Sequence, residues 1–387
     1  MPQSTASRPL AGLRVLDLTR VLAGPYCTLI LADLGADVVK IERPAGGDDA
    51  RLFGPFLPSG ESAYFASINR GKRSITLDLK HPADVRTFLR LVERADVLVE
   101  NFRPGTMESL GLASQRLREI NPRLIYASAS GFGRTGGYGR RPAYDVIIQA
   151  MSGLMSVTGN GDGQPVRAGT SVSDILTGLF TAIGILASLR GRGDSGRGAD
   201  LDLAMLDCTV AALENAICRC TVTGEVPVPL GSRHPSITPF QAFPTADVPI
   251  VIAAGNETLW RKLCEVLATP ELQDDPRFAT NAARSSNCPQ LEPLLTARLT
   301  QRPAADWLAE LEAAGIPSAP IRNIADVVAD PELAARGMLH QMEDAGSSFL
   351  TAGSPFHING SPPSLSPHAP KLGEHTQMVL REWLEDV

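Results

Sequence analysis

Asp174 lies in the run VRAGTSVSDILTGLF (166–180), an acidic side chain among Gly, Ser and Thr at the head of an apolar stretch. Ser173 is placed to cap a helix that runs from about Asp174 to about Arg190. Unpaired backbone N–H groups and the helix dipole stabilise an anion in a first turn. Asp174 is therefore expected to stay ionised at neutral pH, the state a carboxylate nucleophile needs. The same physics makes aspartate common at helix starts. The residues alone leave two readings open, a nucleophile and an ordinary helix-start carboxylate.

Cations gather around four β-rich runs. Arg43 follows one, NRGKRS (69–74) precedes another, and NFRPG (101–105) and GRTGGYGRR (133–141) follow two more. If the runs are parallel strands, Arg43, Lys72, Arg73, Arg103, Arg134, Arg140 and Arg141 are carried toward the sheet's edges and suit an anion with several phosphates. Segments before and after a strand lie at opposite edges, so not all seven can converge. Ordinary solvated loop charge is the competing reading for each.

Other chemistries lack their residues. LDLTRVLAGPYCT (16–28) carries Gly24 alone where a dinucleotide fingerprint needs several glycines. Glu42, ending the second run, resembles a ribose-binding acid, and a solvated strand-end carboxylate reads equally well. No serine stands in a GxSxG elbow, and neither an HExxH nor a carboxylate cluster points to a metal. His81 opens a helix, His234 lies in a Pro/Gly linker, and His340, His357, His368 and His375 fall late among turns. The cysteines, Cys27, Cys208, Cys218, Cys220, Cys264 and Cys288, have no CxxC spacing and read as small buried thiols.

The elements that must hold these side chains alternate in type. Strands are expected at LRVLDL (13–18), DVVKIE (37–42), SITLDL (74–79), ADVLVEN (95–101) and RLIYASASG (123–131), with helices at about 25–34 and 81–94. Continuous Val/Ile/Leu runs separated by helices predict a doubly wound parallel sheet covered on both faces, with the ligand crevice at the carboxyl ends of the strands. The apolar stretch 175–189 reads as a buried core helix too short to span a bilayer. GADLDLAML (198–206) reads as a strand passing into a helix. A Pro- and Gly-rich stretch, about 221–239, reads as a linker. A strand at 249–255 and helices at 258–267 and from 306 then suggest a smaller α+β domain. A loop-rich tail from about 356 ends in a helix near 376–384.

With 43% hydrophobic and 20% charged residues the 387-residue chain is an ordinary globular sequence, long enough for two domains. A net charge of −6 invites neither nucleic acid nor an anionic membrane. The first residues, MPQSTASRPLAG, have no apolar core of a signal peptide, so a soluble, cytoplasmic protein is expected.

Taken in order, LAGLRVLDLTRVLAGPYCTLILADLGADVVKIERP (10–44), NRGKRSITLDLK (69–80), ADVLVENFRPGTMESLGL (95–112), YDVIIQAMSGLMSVTG (144–159), SDILTGLFTAIGILASL (173–189), DPRFATNAARSSN (275–287), AGIPSAPIRNIADV (314–327) and APKLGEHT (369–376) resemble the class III coenzyme A transferases (CaiB/BaiF type), a family that includes formyl-CoA and carnitine CoA-transferases. The resemblance implies that Asp174 is the nucleophile of an acyl-CoA:carboxylate exchange with no further cofactor or metal. It also implies that Arg20, Val21, Arg43, Lys72, Asn101 and Phe102 bind CoA, with Arg103, Arg140 and Arg141 as weaker candidates. Succinyl-CoA is one implied donor and a small carboxylic acid the acceptor, and Arg233 and His234 are candidates to meet a second carboxylate. Leu22 stands where formyl-CoA transferases carry Gln, and GSRHPSITPF (231–240) lacks their polyglycine loop, which argues against formyl or oxalyl transfer. The related α-methylacyl-CoA racemases need a His–Asp pair. Here Tyr144 precedes Asp145, so one base is missing and transfer is preferred over racemisation or simple CoA binding. The implied architecture is an interlocked homodimer. Each chain would have a Rossmann-like large domain (1–220), a linker and small α+β domain (221–330), and a segment (331–387) returning to the large domain.

Overall fold

Six apolar runs form one parallel sheet: β1 (Arg14–Asp17), β2 (Asp37–Glu42), β3 (Arg73–Thr76), β4 (Val97–Glu100), β5 (Ile125–Ser130) and β6 (Asp200–Ala204). Their spatial order is β3-β2-β1-β4-β5-β6, and every neighbouring pair is parallel. The computed structural model describes residues 8–161 and 163–385. Side chains alternate across the sheet, and its central strands are buried on both faces, whereas Asp200 and Asp202 of the edge strand β6 are exposed. Helix α1 (Ala23–Asp33) puts Cys27 and Leu31 on one face, against Val15, Val38, Val97 and Ile125. Leu16, Val39, Ile75, Leu98 and Tyr126 form the other face, and helix α2 (Pro82–Arg94) covers it with Phe88, Leu91 and Val92.

The strand order reverses between β1 and β4, so their following loops diverge and leave a crevice at the carboxyl edge. Two further helices reach that edge, α3 (Asp145–Met151) and α4 (Val172–Ser195). Helix α4 is longer than expected and ends at Gly196 in the left-handed conformation. Its N-cap position is Ser171, with no side-chain cap, and Ser173 is a buried first-turn residue rather than the cap. By length and composition alone α4 could cross a membrane. Here its Ala182 and Ile185 pack into the sheet's core, while Leu179, Phe180 and Ile183 lie exposed. The expected core helix is thus buried along one stripe only.

The chain divides into two compact units. The first takes Met1–Met155, Arg167–Gly224 and Asp330–Val387, and the second takes Ser156–Val166 and Glu225–Ala329. The excursion at 156–166, SVTGNGDGQPV, is rich in Gly, Asn, Asp and Pro. The second unit holds an antiparallel sheet, β7 (Phe240–Phe243), β8 (Ile250–Ala253) and β9 (Ser318–Pro320). Helix α5 (Glu257–Val266) packs Trp260 and Leu263 into that unit's own core. In the first unit a hairpin of β10 (Leu339–Asp344) and β11 (Ser347–Ala352) precedes the last helix. Its turn residues Ala345 and Gly346 both have positive φ, the primed geometry a two-residue hairpin needs. The last helix, α6 (Thr376–Leu384), buries Val379 and Trp383 on the Leu16 face, and Trp383 Nε1 donates to Asp37 Oδ2 at 3.0 Å.

Candidate active site

The loops after β1 and β4 are tied across the point where the strand order reverses. Arg20 N donates to Asn101 Oδ1 at 2.7 Å, and Asn101 Nδ2 donates back to the Arg20 carbonyl at 2.8 Å. The Arg20 guanidinium also lies over the Phe102 ring, 5.3 Å from its centroid. Below them, strand-end carboxylates hold the loop amides: Asp17 Oδ1 accepts from Thr19 N at 2.8 Å and Glu100 Oε2 from Phe102 N at 2.8 Å.

A cavity of about 200 Å³ opens on these loops, lined by Arg20, Val21, Asn101, Phe102, Arg103, Arg141 and Asp174. Leu22, Asp49, Gly131, Tyr144 and Met205 complete much of its wall. A second cavity of about 240 Å³ lies over the ends of β1, β2 and β3, lined by Arg20, Arg43, Leu77, Lys80 and Phe102 among others. Arg20 and Phe102 border both.

Asp174 reaches the first cavity from the opening turn of α4, which is held against α1 by close backbone contact. A Cβ on Gly178 would stand 2.8 Å from the Ala23 carbonyl and 3.0 Å from the Tyr26 ring, so only glycine lets the two helices meet this closely. The α4 opening is secured from α3, where Asp145 Oδ1 accepts from Ser173 N at 2.9 Å and Asp145 Oδ2 accepts from Gln149 Nε2 at 2.7 Å. Burial, helped by the nearby Asp145 charge, pushes the Asp174 carboxyl up to about 7. This corrects the expectation of a fully ionised carboxylate. The helix terminus contributes only about 0.3–1 kcal/mol to an anion, and desolvation outweighs it.

Most of the sequence-predicted residues meet here, and Lys72 does not. Its ammonium is buried, donating to Asp17 Oδ2 (3.0 Å), the Pro25 carbonyl (3.0 Å), Thr28 Oγ1 (2.7 Å) and Asn69 Oδ1 (2.9 Å). Burial lowers the Lys72 ammonium to about 8 against the attraction of Asp17. Burial would by itself raise Asp17, but Lys72, Lys40 and two threonine hydroxyls hold it far below the usual carboxylate range. The pair is an internal strut, and Lys72 lines neither cavity. Lys80, on the loop after the same strand, is a lysine that does reach a cavity.

Glu42 is neither a ribose acid nor solvated, because Arg51 grips it at 2.8 and 2.7 Å and Ser74 donates at 2.6 Å. Arg73 pairs with Asp37 and Glu382, and Arg134 with Asp200 at 2.6 Å. Arg140 lines neither cavity. Arg233 and His234 belong to the second unit, where the His234 ring lies 5.4 Å from that of Phe240. Cys27, Cys208, Cys264 and Cys288 are buried, but Cys218 is exposed and Cys220 half-buried, against expectation.

Sequence reasoning missed Lys80, Asp48 and Asp49. Asp49 accepts from Arg20 Nη1 at 3.1 Å and also pairs with Arg43, drawing together the arginines of the two cavities. For Lys80 a signal existed, since residues following a parallel strand share the ligand edge and those preceding it do not. Asp48 and Asp49 had none, because Val21 lies 27 residues from Asp48 and Arg20 lies 29 from Asp49. Only the folded loop brings them together.

A parallel sheet whose order reverses, with cations and the raised carboxyl of Asp174 at the reversal, defines an α/β enzyme with its ligand crevice at the carboxyl edge. The chain belongs to CoA-transferase family III, whose model matches residues 10–376, and it is a CoA-transferase. It is 47% identical over 343 residues to an acetyl-CoA:oxalate CoA-transferase of Acetobacter aceti, covering 88% of each chain. It is 42% identical to a succinate–glutarate CoA-transferase of Agrobacterium fabrum, over 87% of this chain and 85% of that one. A crystal structure of a CAIB/BAIF family protein from Brucella suis superposes with a TM-score of 0.85 at 41% identity, over 98% of this chain and all of the other.

Proposed function

We propose that the enzyme moves CoA from succinyl-CoA or another acyl-CoA to a small dicarboxylic acid, through covalent intermediates on Asp174. The observation that carries this reading is the single cavity in which Asp174 meets Arg20, Asn101, Phe102, Arg103 and Arg141. The two relatives that act on glutarate and oxalate supply the dicarboxylate class. Leu22 and the missing polyglycine loop argue against oxalate, whereas the oxalate-using relative favours it, so oxalate stays among the acceptors to be tested.

In the first step the ionised Asp174 attacks the thioester carbonyl, and the C–S bond breaks to give a mixed anhydride and CoA thiolate. The thiolate then attacks the aspartyl carbonyl, releasing the donor acid as carboxylate and leaving an aspartyl–CoA thioester. The acceptor carboxylate attacks that thioester, expelling the thiolate and forming a second mixed anhydride. The thiolate attacks the acceptor's carbonyl in that anhydride, giving the product thioester and freeing the Asp174 carboxylate. Each step is an acyl exchange between groups of similar energy, which is what covalent catalysis needs. The second cavity, with Arg43, Lys80 and the faces of Leu77 and Phe102, suits the nucleotide end of CoA. No metal or further cofactor enters this scheme.

The reading includes a cytoplasmic homodimer. Tyr144, Val146, Ile147, Met151, Phe180 and Ile183 leave an apolar strip exposed along α3 and α4, of the kind a second copy covers. A CoA-exchange screen with succinyl-CoA and acetyl-CoA against glutarate, oxalate and monocarboxylates tests the reaction. Exchange is expected with a dicarboxylate and lost in Asp174→Ala with CoA still bound. Exchange surviving in Asp174→Ala would remove the nucleophile assignment.

A further inference from the structure

Val21 follows Arg20, which borders both cavities, and holds φ at 66°. A β-branched residue rarely adopts that left-handed backbone, and it persists only where neighbours impose it. The neighbours are buried ionic groups. Lys40, fully buried in β2, donates from Nζ to the Thr19 carbonyl at 2.7 Å and pairs with Asp48 Oδ2 at 2.9 Å. Asp48, itself buried, accepts the Val21 N–H at 3.0 Å and the Ala50 N–H at 3.0 Å through Oδ1. Its own amide is held by Glu42 Oε2 at 2.9 Å. Lys40 lines neither cavity and Asp48 lines only the second, whereas Val21 lines the one that contains Asp174.

We propose that the Lys40–Asp48 pair is a positioning device that holds the Thr19–Val21 loop in a strained shape, so that Val21 and the Arg20–Asn101 link present the CoA thioester to Asp174. The inference rests on the transferase reading for its catalytic consequence, and on geometry alone for the clamp. A buried ion pair is a costly way to hold a loop compared with apolar packing. Its use here follows from direction: a carboxylate facing the Val21 amide fixes that N–H, and Lys40 fixes the carbonyl two residues earlier. Relaxation of Val21 to ordinary β or α geometry would swing its amide away from Asp48 and move Leu22 and the start of α1 with it.

The test is a double-mutant cycle of Asp48→Asn with Val21→Gly, read in both kcat for CoA exchange and melting temperature of the full chain. Glycine adopts positive φ without strain, so the clamp has less to hold in that background. The expected result is a loss of at least about tenfold in kcat from Asp48→Asn alone, as for misplacement by a fraction of an ångström to an ångström. In the Val21→Gly background the same change is expected to cost less than about twofold, with a matching non-additivity in melting temperature. Equal losses in the two backgrounds would overturn the proposal. An Asp48→Asn chain that fails to fold but is rescued by Val21→Gly supports it. Failure to fold in both backgrounds contradicts it, because Asp48 would then serve the fold and not the loop. A wild-type chain without exchange would sink the transferase chemistry alone, and the melting cycle would still decide the clamp.

Discussion

At the residue scale the site is a contest between desolvation and charge, and Asp174 shows the outcome. A rise from 3.8 to about 7 corresponds to roughly 4 kcal/mol in favour of the protonated form, several times what a helix terminus offers. The raised pKa means that the folded state keeps a proton the unfolded state has lost. Stability contributed by this group is therefore greatest below about pH 4 and falls as pH rises to about 7. The kcat/KM for the acyl-CoA donor should accordingly rise with pH through about 7, as the free enzyme's nucleophile ionises, in a pH–rate profile. Asp174→Asn should raise the melting temperature at pH 8 by more than at pH 5, and an equal rise at both would show that Asp174 is not buried as an acid. The sequence singles out Asp174 but not its ionisation, because the burial comes from α3 and α1, remote in the chain.

Among the elements, the strand runs and their order of types are legible because Val/Leu/Ile continuity encodes a sheet buried on both faces. Which edge each loop occupies follows from parallel pairing, and where that rule is set aside the reading fails. Lys72 precedes β3 and is a core strut, whereas Lys80 follows it and reaches a cavity. The hairpin β10–β11 escapes the sequence because its strands, LHQMED and SSFLTA, alternate weakly and bury little beyond Met342. The contact of α4 on α1 at Gly178 is the most exacting of these placements. Gly178→Val should destabilise the fold by about 1–3 kcal/mol, as overpacking against backbone does. It should also lower kcat, since Asp174 lies one turn earlier on the same helix. Thermal melting and exchange kinetics on that one variant check both, and a variant melting and turning over like wild type would mean that α4 is not fixed through this contact.

Across the whole molecule, the Pro- and Gly-rich stretch that composition marks begins at about 221, and the longer segment of the second unit runs from Glu225 to Ala329. That 156–166 also belongs to that unit is not legible, since its Gly, Asn, Asp and Pro mark a loop without saying which unit the loop joins. The apolar strip on α3 and α4 is likewise hidden, because an apolar helix reads as a core helix whichever of its faces the fold leaves exposed. Sedimentation velocity at micromolar concentration should give a species of twice the 41.1 kDa chain. Ile183→Asp should shift it toward monomer, and a wild-type monomer would rule out the dimer.

Everything proposed for the chemistry depends on CoA becoming covalently attached to Asp174. The direct measurement is mass spectrometry of the enzyme mixed with succinyl-CoA in the absence of acceptor, followed by digestion. The expected result is an adduct with the mass of CoA less water on the peptide containing Asp174, formed by wild type, absent from Asp174→Ala, and discharged when the acceptor acid is added. An enzyme that exchanges CoA without such an adduct, or carries it on another residue, would contradict covalent catalysis at Asp174.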